Sequence, residues 1–281
     1  MTPAAPRVTI VIPSYNYARF LPDSIGSAAA QTFPDTEILV LDNASTDETA
    51  EVVRGFAARD RRIRYVRNKT NIGAIPNFNK GIALAAGEYV KVLCADDRLE
   101  PECLERTLPP LERDPAIALS GCARRYIDAQ GRPFGSILSF TDRSAVLPGP
   151  DVIVRCLFRG NLIGEPSAVL FRKRDADPGF STDYRQLVDL DFWFRLFERG
   201  AFAFAAEPLC NLREHEGQTT VRNLWTFSAA RDEWKIYRDY GRKEYVRLSP
   251  GKRAELVARR LSQCVVPPLM GSLAKVLPIR R

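Results

Sequence analysis

Two adjacent carboxylates close an apolar run in the first third of the chain. Residues 89–93 are mostly apolar, and Asp96-Asp97 follow shortly after them. Two neighbouring carboxylates repel each other unless a cation or another positive group lies between them, and their oxygens are ligands that suit Mg²⁺ or Mn²⁺. The pair therefore predicts a divalent metal together with an anionic group for that metal to hold. The alternative interpretation is a solvated turn that follows a strand.

Polar residues follow three other apolar runs in the same way. These runs occupy residues 8–12, 37–41 and 63–66. Their length and nearly continuous apolar character are typical of strands that are buried on both faces of a parallel sheet. The polar residues that follow the four runs are Pro13, Ser14, Tyr15, Asp42, Asn71, Gly73, Asp96 and Asp97.

Helical patterns separate the four runs. One apolar stripe runs through 20–28, a second follows the capping box Ser45-x-x-Glu48, and a third runs through 78–86 and ends at Gly87. Alternation of strands and helices predicts an α/β fold with a mostly parallel central sheet flanked by helices. Because parallel strands end at one edge of a sheet, the polar residues are expected to meet there.

The second half of the chain has a mixed pattern. Residues 117–126, 167–172 and 202–212 are predicted to be strands, and 152–157 and 190–197 to be helices. Residues 133–150 are expected to be irregular, and a basic helical extension is expected from Thr226 onward.

The bulk composition is that of an ordinary globular protein. The 281 residues are 45% hydrophobic and 27% charged, and the six cysteines are scattered without a Cys-x-x-Cys pair. This distribution argues against a zinc site and a disulfide framework, and free thiols suit a reducing cytoplasm. Residues 1–7 carry no signal-peptide pattern, and no apolar run reaches the length of a membrane span. We therefore expect a cytoplasmic protein.

The positive charge is concentrated in the C-terminal region. Residues 231–281 contain 13 Lys and Arg against 5 Asp and Glu, whereas the whole chain has a net charge of +7. Basic residues mixed with aromatic ones predict contact with an anionic membrane surface, which would place the protein at the inner face of the membrane. The alternative is an amphipathic helix that packs on the domain. Nucleic acid is disfavoured, since no nucleic-acid motif accompanies the charge.

Two common nucleotide-binding motifs are missing from the sequence. The first crossover helix is not preceded by Gly-x-Gly-x-x-Gly, and the chain has no Gly-x-x-x-x-Gly-Lys-Ser/Thr. Instead it carries an ordered set of other motifs, namely Val-Ile-Pro-Ser-Tyr-Asn at 11–16, Leu-Asp-Asn-Ala-Ser-Thr-Asp-Glu-Thr at 41–49, Asn-Ile-Gly at 71–73, Asn-Lys-Gly at 79–81, Ala-Gly-Glu-Tyr at 86–89 and Ala-Asp-Asp at 95–97. With this set the chain resembles family 2 of the glycosyltransferases, which have a GT-A fold, over roughly residues 7–220.

The resemblance implies an inverting glycosyltransferase that needs Mg²⁺ or Mn²⁺. Its donor would be a nucleotide-diphosphate sugar, with a UDP- or dTDP-sugar favoured, and its acceptor a glycan or a lipid-linked glycan of the cell surface. Residues 1–225 would form the GT-A domain, with the nucleotide-sugar half at about 7–100 and the acceptor half at about 101–225. Residues 226–281 would then be a basic, aromatic helical tail.

The resemblance also implies roles for the residues at the strand ends. Asp42 would accept a hydrogen bond from the nucleobase, Asp97 would bind the metal, and Asp96 would lie near the ribose. The structural alternative for Asp42 is a helix-entry cap ahead of residues 46–58, and that for Pro13 and Tyr15 is turn formation. A turn with a positive φ angle is the alternative for Gly73. The nucleotide-binding set is Pro13, Ser14, Tyr15, Asp42, Asn71, Gly73, Asn79 and Asp96.

A second acidic segment resembles the catalytic segment of the family. In Val188-Asp189-Leu190-Asp191-Phe192-Trp193, the resemblance makes Asp189 the base that deprotonates the acceptor hydroxyl, with Asp191 as the second candidate. Val188 stands where the family usually has Glu. The alternative for Asp189 is an acid stabilised by a helix N-terminus.

Three further residues complete the set that the resemblance implies. His215, the only histidine, would reach the metal or the diphosphate, and Arg213 would contact phosphate. Glu165 would contact a sugar. A lone histidine can equally have a structural role.

Two rival functions remain open at this point. A sugar nucleotidyltransferase would need a Gly-rich basic loop after the first strand, and residues 13–16 offer none. A catalytically silent nucleotide-sugar-binding or scaffold protein of the same fold is supported only by Val188.

Overall fold

The central element of the fold is a sheet of ten strands. The computed structural model describes residues 5–216 and 227–260, and the side chains of all of these except 227–230. The strands are β1 (Val8–Ser14), β2 (Thr36–Asp42), β3 (Ile63–Arg67), β4 (Tyr89–Val92), β5 (Arg98–Leu99), β6 (Ile117–Ile127), β7 (Pro133–Leu138), β8 (Ala145–Leu147), β9 (Val169–Arg172) and β10 (Ala201–Arg213). The helices are α1 (Leu21–Ala29), α2 (Thr49–Ala57), α3 (Ala74–Leu84), α4 (Cys103–Arg113), α5 (Gly149–Arg159), α6 (Val188–Phe197), α7 (Phe227–Tyr240) and α8 (250–260).

The first four strands form the parallel half of the sheet. The strand order is β3-β2-β1-β4-β9-β6-β10-β5. β1 pairs in parallel with β2 and β4, and β2 pairs in parallel with β3. β9 lies antiparallel between β4 and β6, whereas β6 and β10 are parallel to each other. The predicted α/β architecture with helices around a central sheet is confirmed; the sheet is mixed, and the antiparallel strand β9 joins its two halves.

The prediction of an irregular segment at 133–150 was wrong. β7 pairs with β6, and β8 pairs with β10. Most residues of β7 are exposed, so this strand lacks the alternation of buried and exposed residues that reveals a half-buried strand in a sequence.

Side chains from the two faces of the sheet enter two separate cores. Val8, Ile10 and Ile12 of β1 lie in the core that also contains Ile25 of α1. Val11 points to the opposite face and lies in the core that contains Trp193 of α6. Alternate residues of a strand face opposite sides, so a strand buried on both faces appears in the sequence as one continuous apolar run.

Helix α3 lies so close to β1 that only a glycine fits at one position. A Cβ atom on Gly81 would lie 2.4 Å from Cγ1 of Val11. We expect Gly81→Ala to lower the free energy of unfolding by about 1–3 kcal/mol, because the buried Val11 side chain cannot move away without strain.

Gly55→Ala in α2 is the matched control, since a Cβ there has nothing within 4 Å. We expect the control to be neutral or to stabilise by roughly 0.5–1 kcal/mol. Urea unfolding of both variants measures the difference, and equal stabilities would contradict the close approach.

The hydrophobic core continues across the predicted domain boundary at 225/226. Ile236 and Tyr240 of α7 are buried in the same core as Trp193, together with Val246 and Leu256. Within the described part of the tail, the alternative of helices that pack on the domain is therefore the arrangement found. Residue 226 and residues 261–281 lie outside the described residues. Among the residues that are described, no helix is both long and apolar enough to cross a bilayer.

Candidate active site

The carboxyl ends of the parallel strands bring the predicted polar residues together. Ser14 lies beside Asp42 in the register of β1 and β2, and the backbone N–H of Asn43 donates to the carbonyl of Ser14 at 2.8 Å. β4 borders β1 on its other side, so Asp96-Asp97 emerge at the same edge. This edge corresponds to the ligand-binding edge of open α/β sheets.

Asp42 is buried and is already hydrogen-bonded within the protein. It accepts from the backbone N–H of Ser45 at 2.8 Å and from the hydroxyl of Tyr65 at 2.6 Å, and Arg67 Nε lies 3.6 Å from Oδ2. Burial and the Asp42 carboxylate raise the pKa of Tyr65 to about 12, which keeps the phenol a donor. Both oxygens of the carboxylate therefore have donors within the protein, and Asp42 is 0% exposed, so in this structure it stabilises the turn that follows β2. Nothing in the sequence pattern pointed to Tyr65.

Two turns carry other residues of the predicted nucleotide-binding set, one after β1 and one between β3 and α3. Tyr15 is 43% exposed, so a face of its ring is available to a planar base. Asn71 Oδ1 accepts from Nδ2 of Asn43 and from the N–H of Gly73, both at 2.9 Å. Gly73 has a φ of 89°, which supports the turn interpretation for this glycine. These bonds fix the loop that precedes α3.

The structure gives Asn79 a role other than the predicted nucleotide contact. Its Nδ2 donates to the carbonyl of Phe180 at 2.9 Å, and its Oδ1 accepts from the N–H of Phe180 at 2.8 Å. Both polar atoms of the amide therefore hold the loop around Phe180 against α3. This contact joins residues 101 apart in the sequence, and for that reason it was not visible in the motif.

Asp97 is a buried carboxylate with two internal donors. Oδ2 accepts from the hydroxyl of Ser167 at 2.5 Å, and Oδ1 accepts from the backbone N–H of Arg213 at 3.0 Å. Burial and the adjacent charge of Asp96 raise the pKa of Asp97 well above its usual range. A cation next to the pair would relieve this repulsion.

His215 lies against Asp96. Its Nε2 is 3.2 Å from Oδ2 of Asp96, and its ring centroid is 4.6 Å from that of Phe20. Arg19 lies near the other ring nitrogen, with NH2 3.4 Å from Nδ1. His215 thus contacts Asp96, which is the neighbour in the chain of the predicted metal ligand Asp97.

The donor atoms around Asp97 suit a metal that is completed by its substrate. Among residues 5–216 and 227–260, no group of three or more His, Cys, Asp or Glu side chains is arranged as a finished metal site. Mg²⁺ typically uses one or two carboxylates and takes its other ligands from substrate phosphates and water. Two crowded carboxylates beside an imidazole fit that type of site.

The guanidinium of Arg213, the predicted phosphate contact, donates its hydrogen bonds to groups of the protein. The residue is 1% exposed, and its Nε donates to the carbonyl of Asp96 at 2.8 Å. NH1 donates to the carbonyls of Asp128 and Ala129, and NH2 donates to Asp23 at 2.6 Å. The guanidinium therefore joins β10 to α1 and fixes the backbone of the acidic pair.

Asp189 lies at the start of α6 in a polar niche. Its Oδ2 accepts from Nδ2 of Asn161 at 2.8 Å, and its Oδ1 accepts from the N–H of Leu190 at 2.7 Å. Burial, followed by the charge of Glu165, raises the pKa of Asp189 to about 7. A general base works best when its pKa is near the working pH. No sequence pattern pointed to Asn161, which holds the carboxylate in place.

Glu165 lies between the two acidic centres. Its charge raises the pKa of Asp97 as well as that of Asp189, and its Oε2 is 2.9 Å from Nε of Arg124. The Glu165 side chain is 40% exposed, whereas that of Arg124 is 4% exposed. The partial exposure of the Glu165 side chain is consistent with the predicted sugar contact.

Asp191, the second candidate base, is held by two side chains of the protein. Its Oδ2 pairs with Nε of Arg195 at 3.1 Å, and its Oδ1 accepts from the hydroxyl of Tyr240 at 2.8 Å. Both oxygens of this buried carboxylate therefore have partners within the protein. Val188, at the position of the family's Glu, packs against the hydrophobic core.

The fold is of the α/β class, with a group of acidic residues at the carboxyl edge of its parallel strands. The chain belongs to glycosyl transferase family 2, whose family model matches residues 9–177. An uncharacterized protein of Mycobacterium tuberculosis is 32% identical over 84% of this chain and 76% of its own length. Chondroitin synthase of Pasteurella multocida is 27% identical over 79% of this chain, which spans 22% of that longer protein.

Solved structures show that the fold is GT-A. TarS of S. aureus, solved in complex with UDP-GlcNAc, has a TM-score of 0.69 at 17% identity over 92% of this chain and 72% of its own. The mannosyltransferase PcManGT of Pyrobaculum calidifontis, solved with GDP-Man and Mn²⁺, has a TM-score of 0.63 at 19% identity over 98% of this chain and 78% of its own.

Proposed function

We propose that this protein is an inverting glycosyltransferase that moves a sugar from a nucleotide-diphosphate sugar to a hydroxyl of a glycan or lipid-linked acceptor. The observation that carries the proposal is Asp189, whose pKa is raised to about 7 and which shares the site with Glu165 and the Asp96-Asp97 pair. A related chain that synthesises chondroitin supports cell-surface polysaccharide as the product class.

The donor would bind at the carboxyl edge of β1, β2 and β4. Tyr15 would stack on the base, and Asp42 would accept a hydrogen bond from a base N–H. Uracil and thymine both present such an N–H, and TarS, a structural neighbour, is solved with UDP-GlcNAc. A UDP- or dTDP-sugar is therefore the proposed donor.

Asp97 and His215 would hold a Mg²⁺ or Mn²⁺ ion at the diphosphate. Such an ion would neutralise the charge that develops on the leaving nucleoside diphosphate. Asp96 would remain beside His215 and face the ribose. Support comes from the crowding of the two carboxylates and from a structural neighbour that is solved with Mn²⁺.

Asp189 would act as the base. Its carboxylate accepts the proton of the acceptor hydroxyl while the hydroxyl oxygen attacks the anomeric carbon, and the bond to the diphosphate oxygen breaks on the opposite face. Asn161 and the N–H of Leu190 orient the carboxylate for this transfer. Attack opposite the leaving group inverts the anomeric configuration.

A thermal-shift screen tests the proposed donor. The purified chain is heated with UDP, dTDP, GDP and their sugars, with and without Mn²⁺. We expect UDP or dTDP compounds with Mn²⁺ to raise the melting temperature by about 5 °C or more at saturating concentration, because ligands that bind only the folded state stabilise it. Stabilisation by GDP compounds alone would overturn the base assignment. Stabilisation without any turnover of a nucleotide sugar would favour the silent binding or scaffold protein.

A further inference from the structure

One carboxylate of the C-terminal region accepts three backbone hydrogen bonds beside the candidate base. Asp232 lies on α7 and is 1% exposed. Its Oδ2 accepts from the backbone N–H groups of Arg185 at 2.7 Å, Gln186 at 2.6 Å and Leu187 at 3.3 Å. A buried carboxylate that gathers three consecutive N–H groups fixes the path of that segment of the backbone.

The segment that Asp232 holds leads directly into α6. The helix begins at Val188, and Asp189 is its second residue. The N–H groups at a helix N-terminus have no partner within the helix and favour a negative charge. Leu187 precedes the helix and has an apolar side chain, which cannot act as a cap. Asp232 supplies the anionic partner for this entry segment from a different helix.

Other contacts keep α7 in a fixed position against α6. The hydroxyl of Tyr240 donates to Oδ1 of Asp191 at 2.8 Å, and Ile236 is fully buried in the shared core. Asp239 accepts from the hydroxyl of Tyr184 at 2.8 Å. The Asp232 carboxylate is therefore carried on a docked helix and not on a mobile side chain of the surface.

We propose that Asp232 is a positioning residue for the transfer reaction, which holds the 185–187 backbone so that Asp189 faces the acceptor hydroxyl. The proposal rests on the proposed role of Asp189 as the base. It assigns a part of the catalytic apparatus to the C-terminal region. Geometry of this kind matters because catalytic groups need to be held within about 0.5 Å, and a misplacement of about 1 Å can cost roughly a hundredfold in rate.

The test compares Asp232→Ala with Asp232→Asn and Asp239→Ala in the full chain. Asn keeps an oxygen that can accept the same bonds, whereas Asp239→Ala removes a carboxylate of the same helix that does not bind the 185–187 backbone. Hydrogen exchange is measured at the 185–187 amides, and the pKa of Asp189 is measured by NMR. The charged groups that face Asp189 are Glu165 and Arg124, and they are unchanged in all the variants.

In Asp232→Ala, we expect amide exchange at 185–187 to be at least about tenfold faster and the pKa of Asp189 to fall below about 7, because water reaches its carboxyl. With the donor selected by the thermal-shift screen, kcat is expected to fall about a hundredfold at unchanged donor KM. Asp232→Asn is expected to restore most of each property. If Asp232→Ala does not fold, Asp232→Glu takes its place, since it moves the carboxylate by one methylene. This variant is expected to show smaller changes in the same direction.

Three outcomes would overturn the proposal. The first is an unchanged pKa of Asp189 and unchanged exchange at 185–187 in both Asp232→Ala and Asp232→Glu. The second is an equal effect of Asp239→Ala, which would mean that only the docking of α7 matters. The third is a kcat that is insensitive to Asp232 although Asp189→Asn abolishes turnover. Turnover that survives Asp189→Asn would instead refute the proposed function, so the two failures are distinguishable.

Discussion

Replacing Asp189 with Asn is expected to reduce the turnover of nucleotide sugar by about a thousandfold, because a general base contributes about 10²–10⁴ in rate. Asn has nearly the same shape as Asp but cannot accept the proton. The amide oxygen of Asn can still accept from Nδ2 of Asn161, whereas its NH2 group replaces the oxygen that accepts from the N–H of Leu190. Donor binding is expected to remain within about twofold of the wild type, since the nucleotide residues lie at the ends of β1, β2 and β4. Isothermal titration with the nucleoside diphosphate and steady-state kinetics measure the two quantities.

The pH dependence of kcat and of stability gives a second test of the role of Asp189. Asp189 has a pKa of about 7 in the folded protein, so the wild-type kcat is expected to fall as the pH drops below about 7. For the Asn variant, kcat is expected not to show this fall at low pH. A raised pKa means that the folded state holds a proton that the unfolded state releases, so the ionised carboxylate lowers stability at high pH. Asp189→Asn is therefore expected to melt at the same or a higher temperature than the wild type at pH 8.

Two further variants serve as controls for Asp189. Asp183→Asn changes a carboxylate whose side chain is 73% exposed, and it is expected to retain full turnover. Asp191→Asn is expected to lower the free energy of unfolding, because it weakens the contacts with Arg195 and Tyr240. Wild-type turnover in Asp189→Asn would disprove its role as the base.

Replacing Asp97 with Asn is the second change for which a large effect is expected. The proposed metal loses its anionic protein ligand, and a loss of about 3 kcal/mol of charge stabilisation corresponds to roughly a hundredfold lower turnover. The Mn²⁺-dependent part of the thermal shift with nucleotide is expected to vanish. The variant itself is expected to fold, because Asn removes the repulsion with Asp96 and can still accept from Ser167.

Chelation and a matched variant complete the test of the metal. Treatment of the wild type with EDTA is expected to reproduce the loss seen in Asp97→Asn, and added Mn²⁺ to reverse it. Asp142→Asn, which changes an exposed aspartate, is expected to leave both turnover and metal response unchanged. Turnover that resists both EDTA and Asp97→Asn would show that the reaction proceeds without a metal at this position.

The predictable part of the site consists of residues whose place follows from a strand end. Asp42, Asp96 and Asp97 come directly after buried apolar runs, and parallel strands deliver such residues to one edge of the sheet whatever their other contacts are. The role of Asp189 followed instead from the resemblance of its segment to the family's catalytic segment, and the structure places it as the second residue of α6. The place of Asp42, Asp96 and Asp97 depends on local periodicity, which is a property of the sequence itself.

The contacts that no sequence pattern reveals join residues that are distant in the chain. Asp23, 190 positions away, accepts from the guanidinium of Arg213, which the resemblance made a phosphate ligand. The hydroxyl of Tyr240 donates to the carboxylate of Asp191, the second candidate base. Asn161 and Asp232 belong to no motif, because each acts through long-range hydrogen bonds.

The sequence by itself determined the α/β order of elements and the carboxylates that gather at the sheet edge, because short-range periodicity encodes strands and helices directly. The family followed from the resemblance in an ordered set of motifs. The tertiary structure alone decided which carboxylates are exposed and which are paired within the protein. It also decided that α7 and α8 belong to the core, although their basic and aromatic composition also suits a membrane surface. Burial and pairing depend on which distant segments meet, so Asp189 and Asp191 have different partners although they are the same residue type.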